Sequence, residues 1–248
     1  MTISIPNAIN TILSENYNKK YIGIFWFFLL LFPILSYLMT IFTDKWTINI
    51  PMILLIQPFI LFISLYIAGT ITLANHNAIY GEKSVFLDFS HIVEILLCGV
   101  KFILGHIILL IAAIFALAGP MITLGTPGLI LSTCVGIILF LVYIGLSLNF
   151  YYSLALEDLL NVSKSVNFIK KSYPALLNYV FVLILAFIVF LVTIYIISSI
   201  SKQIIAPNLQ FFVVDCGFNS IIAAALIIIL IEINAQFVRA VLKTCHKQ

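Results

Sequence analysis

The chain has 248 residues, of which 63% are hydrophobic and only 8% are charged. With a mean hydropathy of +1.23, it carries too little polar surface to cover a water-soluble globule, so a soluble enzyme fold is excluded. The formal net charge of +3 is spread over short gaps between apolar runs, and this pattern does not predict a nucleic-acid-binding surface.

Six apolar runs dominate the sequence, and each reaches the roughly 20 residues that cross a hydrocarbon core of about 30 Å. In lipid the backbone must satisfy its own hydrogen bonds, so these runs are predicted to be helices. The predicted fold class is therefore all-α, an integral membrane bundle that forms a single membrane domain over residues 1–248. The predicted spans are Tyr21–Phe42, Ile50–Ala74, Ile92–Ala118, Leu129–Tyr152, Ala175–Ile200 and Phe211–Ala240.

Three polar segments with helical apolar spacing precede the first, third and fifth spans. They cover Ile5–Asn16, Ser84–Ile92 and Asn161–Ser172, and each is predicted to lie as a short amphipathic helix in the headgroup region. Their lysines favour anionic headgroups. Two interpretations stay open: these segments are linkers on the lipid surface, or the chain is a three-fold repeat of one interfacial helix and two spans.

The basic residues indicate the orientation of the chain. Of the 12 Lys and Arg residues, only Lys45 and Lys202 fall in the first and third outer gaps between spans. The positive-inside rule then predicts a bacterial inner-membrane protein with both termini in the cytoplasm. Lys20, Lys83 and Lys171 are predicted on the same cytoplasmic side, together with Lys247 near the end of the chain.

Four polar residues inside the predicted spans form the candidate site: Lys101, Asn149, Glu232 and Gln236. Ionisable groups in spans are costly and are usually paired or functional. Ala225, Glu232, Gln236 and Arg239 share one stripe of the last helix, which should face protein rather than lipid. Two hypotheses follow: a polar cavity that contacts a substrate or ion, or an internal ion pair in which Lys101 and Glu232 come within salt-bridge distance.

Other reactive side chains have simpler interpretations. His106 is predicted to be a hydrogen-bonded core residue, and Glu157–Asp158 beside Lys164 a solvated charge cluster. The cysteines are scattered, and the cluster Asn75–Asn77 with Glu82 and Asp88 matches no ligand spacing. No catalytic residue, cofactor or metal site is predicted.

The layout resembles the YciC family of bacterial inner-membrane proteins, and less closely the membrane domains of glycerophosphodiester phosphodiesterases. The most specific stretch is TPGLILSTCVGIILFLVYIGLSLNFYYSLALEDLLNVSKSVNFIKKSYPALL (126–177). There Pro127–Gly128 opens the fourth span, an acidic residue follows its end, and a serine-containing helix leads into the fifth. Gly69 and Gly81 match more loosely. The resemblance implies six spans and carries over no catalytic residue.

Three functional hypotheses remain at this stage. The first is a non-enzymatic multi-pass protein in envelope or lipid homeostasis, or an accessory of a membrane complex, with membrane lipids and protein partners. The alternative is a permease subunit of an ABC-type transporter, in which Ser84–Val93 would be the coupling helix for an ATPase. A membrane-embedded enzyme would have to use Lys101, Asn149 and Glu232.

Overall fold

The computed structural model describes residues 3–13, 17, 19–44, 50–82, 84–205 and 211–245. All regular structure in these ranges is helical, which confirms the predicted all-α class. Six of the helices are long and apolar enough to cross a membrane. The chain is therefore a multi-pass membrane protein.

Eight α-helices can be numbered in chain order over the described ranges. The first five predicted spans each fall within one of these helices, and the sixth begins in the π-helical segment that precedes the last helix. The helices are α1 Ile5–Leu13, α2 Lys19–Asp44, α3 Ile50–Tyr80, α4 Ile92–Leu124, α5 Thr126–Ser153, α6 Leu156–Leu160, α7 Val162–Ile204 and α8 Asn219–Cys245. A 3₁₀ turn, Phe89–His91, precedes α4, and a π-helical segment, Phe211–Phe218, leads into α8.

Helices α4 and α5 form a tight antiparallel hairpin around Gly125. This glycine has a positive φ of 60°, which glycine adopts at little steric cost. Pro127 lies in the first turn of α5, where its missing N–H removes no helical hydrogen bond. Next to it, a Cβ on Gly128 would overlap the carbonyl oxygen of Pro120, so only glycine allows the two helices to approach this closely.

Helices α3 and α4 cross at a pair of glycines. A Cβ on Gly69 would overlap the carbonyl oxygen of Ile95, and a Cβ on Gly99 would overlap that of Leu65. The two backbones are therefore in direct contact at the crossing, as small residues allow in membrane helix pairs.

Helix α8 occupies the centre of the bundle. It packs against α1, α2, α3, α5 and α7, and Ile231, Ile233 and Phe237 on it are almost fully buried. The same apolar core extends to the start of α2 and the loop before α4, where the ring of Phe86 packs on Tyr17 and Phe25.

The three predicted amphipathic segments have three different structures. The first is confirmed as α1 over Ile5–Leu13, and residues 14–16 lie outside the described residues. Helix α1 is docked on α8, with Ala8 fully buried. The third is helical but is the beginning of the long α7, where Ser165 is buried and donates to the carbonyl oxygen of Val142 on α5. It is therefore not a separate interfacial helix.

The prediction of a helix over Ser84–Ile92 is wrong. Side-chain hydrogen bonds hold this segment out of helical geometry: Asn77 donates to the carbonyl of Val85 at 3.2 Å, and Ser84 donates to the carbonyl of Phe86 at 2.7 Å. Only the 3₁₀ turn follows, capped by Asp88, whose carboxylate accepts from the Ser90 N–H. A repeat of one common interfacial helix is therefore not seen.

Candidate functional site: the polar face of the last helix

Glu232 is the centre of a buried polar group on α8. Only 2% of its surface is exposed, and both carboxylate oxygens are bound. The Tyr17 hydroxyl donates to Oε2 at 2.9 Å, and Arg239 Nη2 donates to Oε1 at 2.6 Å. Arg239 also donates through Nε to the carbonyl of Ala235 at 3.2 Å. The ion pair is therefore internal to one helix and completed by Tyr17.

The electrostatics of Tyr17 agree with its role as a donor. Burial raises the pKa of its hydroxyl strongly, and the negative charge of Glu232 raises it further. Tyr17 lies before α2, outside the spans. It therefore stays protonated over the physiological range and can donate to the carboxylate at any pH in that range.

Gln236 lies one turn beyond Glu232 and binds the beginning of the chain. Its Oε1 accepts a hydrogen bond from the Ser4 N–H at 3.3 Å. The neighbouring carbonyl of Ile3 accepts from Asn178 Nδ2 on α7, also at 3.3 Å. Gln236 therefore helps to anchor the segment before α1 between α7 and α8.

A series of hydrogen bonds links α3, α7 and α8. Its side chains were not predicted from the sequence to form one site. The Tyr179 hydroxyl donates to Asn234 Oδ1 at 2.6 Å, and Asn234 Nδ2 donates to Asn75 Oδ1 at 2.9 Å. Asn75 in turn donates to the carbonyl of Ile71 at 2.8 Å. One feature of the sequence could have indicated this site. Asn234 stands between Glu232 and Gln236, so three polar residues lie within little more than one turn of α8.

This chain of hydrogen bonds leads to a stability prediction. Tyr179→Phe should lower the free energy of unfolding by about 1 kcal/mol, because Asn234 loses a buried donor. Tyr195→Phe on the same helix is the matched control: Tyr195 is 74% exposed, so its change should stay within about 0.5 kcal/mol. Denaturant unfolding in detergent micelles measures both. Equal effects of the two substitutions would contradict the role given to Tyr179.

Lys101 does not pair with Glu232, so the predicted ion pair is wrong. Lys101 is exposed, and its Nζ donates to the carbonyl of Leu154 after α5 at 3.3 Å. Glu232 takes Arg239 as its cation instead. The two side chains lie on α4 and α8, and α3 packs against both helices. A similar predicted depth in the membrane did not place them side by side.

Asn149 is on a different helix from Glu232. It is buried on α5, and its Nδ2 has no hydrogen-bond partner in the part of the chain that the structure describes. Of the four predicted site residues, the structure therefore brings Glu232 and Gln236 together and places Lys101 and Asn149 on two other helices.

The prediction that the stripe of Ala225, Glu232, Gln236 and Arg239 faces protein is confirmed for its last three residues: Glu232 and Gln236 are buried, and Arg239 is hydrogen-bonded to Glu232. It is wrong for Ala225, which is exposed. Within the described ranges, no group of three or more His, Cys, Asp or Glu side chains could hold a metal ion. No protein-family model matches this chain, and no curated protein or solved structure shows significant similarity to it.

Proposed function

We propose that this chain is a non-enzymatic protein of a bacterial inner membrane that acts in envelope or lipid homeostasis, or as an accessory of a membrane complex. The observation that carries the proposal is the internal use of the polar residues on α8. Glu232 is bound by Tyr17 and Arg239, and Gln236 by the Ser4 N–H. Groups held in this way stabilise helix packing and leave little capacity to bind a polar substrate.

The outer surface of the bundle supports the same proposal. Large apolar side chains on α4, α5 and α7 are about half exposed or more, among them Phe115, Ile130 and Phe181. In a membrane these side chains face lipid or the apolar surface of another membrane protein. The ligands and partners of the chain are therefore expected within the plane of the bilayer, and the resemblance to the YciC family stays a prediction consistent with this role.

A permease subunit remains the second candidate because six spans suit it. The segment that would serve as its coupling helix, Ser84–Val93, is non-helical up to Asp88 and then forms the 3₁₀ turn that leads into α4. This structure weighs against the permease. Copurification in mild detergent separates the candidates: the permease predicts a stoichiometric ATPase, whereas the favoured proposal predicts bound lipids or membrane proteins without one.

The role in homeostasis is tested by lipid analysis of a deletion strain. We expect the deletion to change the abundance of at least one envelope lipid, and the intact chain to restore it. Complementation with Tyr195→Phe, an exposed change on α7, is the control and should restore it equally. An unchanged lipid profile together with a copurifying ATPase would contradict the proposal.

The orientation of the termini is proposed from the basic residues and can be tested directly. Single cysteines at Lys20 and Lys171 should be labelled by a membrane-impermeant thiol reagent only after the cytoplasmic face is opened. Cysteines at Lys45 and Lys202 should be labelled in intact cells or spheroplasts. Labelling of positions 45 and 171 from the same side would overturn this orientation.

A further inference from the structure

A pocket of about 460 Å³ lies at the end of the bundle where α4 begins and α5 ends. It is lined by side chains of the turn before α4 and of the first two turns of that helix, together with Lys101 from the third turn and Leu154 after α5. The basic residues predict that this end of the bundle faces the cytoplasm. The volume of the pocket is in the range of ligand sites, about 300–1,000 Å³.

Lys101 brings a positive charge to the pocket without a countercharge from the described part of the chain. Its Nζ donates to the carbonyl of Leu154 at 3.3 Å, which places the charged end of the side chain beside the loop that follows α5. An ammonium group carries three donors, so two remain. No ion pair of Lys101 is formed within the described ranges. Because a charge inside a predicted span is usually paired or functional, we expect an acceptor from outside the chain at this ammonium.

Glu94 supplies a negative charge on the same side of α4. It precedes Lys101 by seven residues, or two turns, so the two side chains share one face and are separated by about 10 Å along the axis. Both residues are exposed. The carboxylate of Glu94 lies 3.3 Å from His91 Nδ1. Since a carboxylate accepts several hydrogen bonds, Glu94 can take a further donor.

The surface beyond Lys101 is apolar. Leu104 and Ile108 follow it by three and seven residues, on the same face of the helix, and each is about half exposed. Along this face the order from the beginning of α4 is therefore carboxylate, ammonium and hydrocarbon. A phospholipid with an amine headgroup has the complementary order, with the amine outermost, the phosphate next and the acyl chains innermost. A soluble zwitterion would leave the apolar part of this face uncovered.

The two charges also select among phospholipid headgroups. A purely anionic headgroup would be attracted by Lys101 but repelled by Glu94. A choline headgroup carries both charges, but its quaternary nitrogen has no N–H to donate. An ethanolamine headgroup carries a phosphate for Lys101 and a primary ammonium that donates to Glu94, and hydrogen bonds between charged groups are the stronger ones.

We propose that this pocket binds the headgroup of phosphatidylethanolamine. The phosphate accepts from Lys101, the ammonium donates to Glu94, and an acyl chain lies along Leu104 and Ile108. This inference rests on the proposed role in lipid homeostasis and gives that role a ligand class.

Native mass spectrometry of the full chain in detergent micelles tests the proposal. The chain is titrated with phosphatidylethanolamine, phosphatidylcholine and phosphatidylglycerol that carry identical acyl chains. We expect phosphatidylethanolamine to bind about ten times more tightly than either of the other two, as one additional hydrogen bond provides. Soluble phosphoethanolamine at the same concentration should not displace it, because this competitor has no acyl chain.

Two variants assign the charges, and each has a matched control. Glu94→Gln should lose the preference for phosphatidylethanolamine over phosphatidylglycerol, because the repulsion of the anionic headgroup is removed. Lys101→Met should weaken all three lipids about tenfold, since each loses the partner of its phosphate. The controls are Glu157→Gln and Lys164→Met, two exposed charges that do not line the pocket, and they should change neither affinity nor preference.

Several outcomes would overturn the inference. Equal affinity of the three lipids for the wild type would indicate non-specific contact with surrounding lipid, and displacement by soluble phosphoethanolamine would exclude a lipid-specific site. A preference that survives in Glu94→Gln, or an equal loss in Lys101→Met and Lys164→Met, would place the lipid outside this pocket. If no preference is found but the deletion strain still changes its lipid profile, the ligand class is wrong and the proposed function stands.

Discussion

Glu232→Ala is expected to lower the free energy of unfolding by about 3–5 kcal/mol, the usual cost of removing one partner from a buried ion pair. Arg239 would keep its charge while losing the carboxylate at 2.6 Å, and Tyr17 would lose its acceptor. Unfolding in detergent micelles, followed by circular dichroism, measures the change.

The identity of the cation that Glu232 needs can be tested by second substitutions. Adding Arg239→Ala to Glu232→Ala should recover part of the loss, because the uncompensated guanidinium is then removed. Adding Lys101→Met should recover nothing, since Lys101 is bound to the carbonyl of Leu154. Lys164→Ala, which breaks the exposed pair with Asp158, should cost at most about 1 kcal/mol.

Gly69→Ala and Gly99→Ala are each expected to destabilise the protein by about 1–3 kcal/mol, as overpacking does in a close-packed interior. The added methyl group would overlap a backbone carbonyl of the facing helix, and backbone cannot move aside as a flexible side chain can. The two helices must then separate at the crossing.

Gly23→Ala is the matched control for these two substitutions. Gly23 is in the interior of α2, and a Cβ there meets nothing within 4 Å. Alanine should therefore stabilise this helix by about 0.5–1 kcal/mol through its better helix propensity. A destabilisation at Gly23 as large as that at Gly69 and Gly99 would mean that helix propensity or insertion, and not the crossing, explains the effect.

The spans could be predicted because the bilayer leaves helices as the only solution for long apolar runs. Their ends could not, because polar residues continue a helix when neighbouring elements satisfy them. Helix α3 runs past the predicted end at Ala74 to Tyr80. Asn75 donates to its own helix and accepts from Asn234, and the His76 ring is hydrogen-bonded to the carbonyl of Tyr151.

The sequence predicted where Arg239 lies relative to Glu232 but not that the two residues pair. Sequence spacing correctly placed Arg239 on the same stripe of α8, seven residues on, or about 10 Å along the axis. The choice of Lys101 came from depth alone, and depth does not say which helices are neighbours. The long Arg239 side chain reaches back along its own helix, a local solution that needs no second span.

The prediction of a helix over Ser84–Ile92 was wrong for a different reason. Its apolar periodicity is real, and Val85 and Phe86 are both buried, but not as part of a helix. The Phe86 ring packs on partners that are distant in sequence, Tyr17 and Phe25. A local sequence window cannot show such contacts, so the helical pattern there was misleading.

The proposed function depends most on Glu232 being a structural residue that is paired with Arg239. A double-mutant cycle between these two positions measures this directly, with the free energy of unfolding as the readout. We predict a favourable coupling energy of about 1.5 kcal/mol or more, within the range of contacting residues. A coupling near zero, with Glu232→Ala folding as stably as the wild type but failing to complement a deletion strain, would contradict the account and make Glu232 a ligand-binding residue.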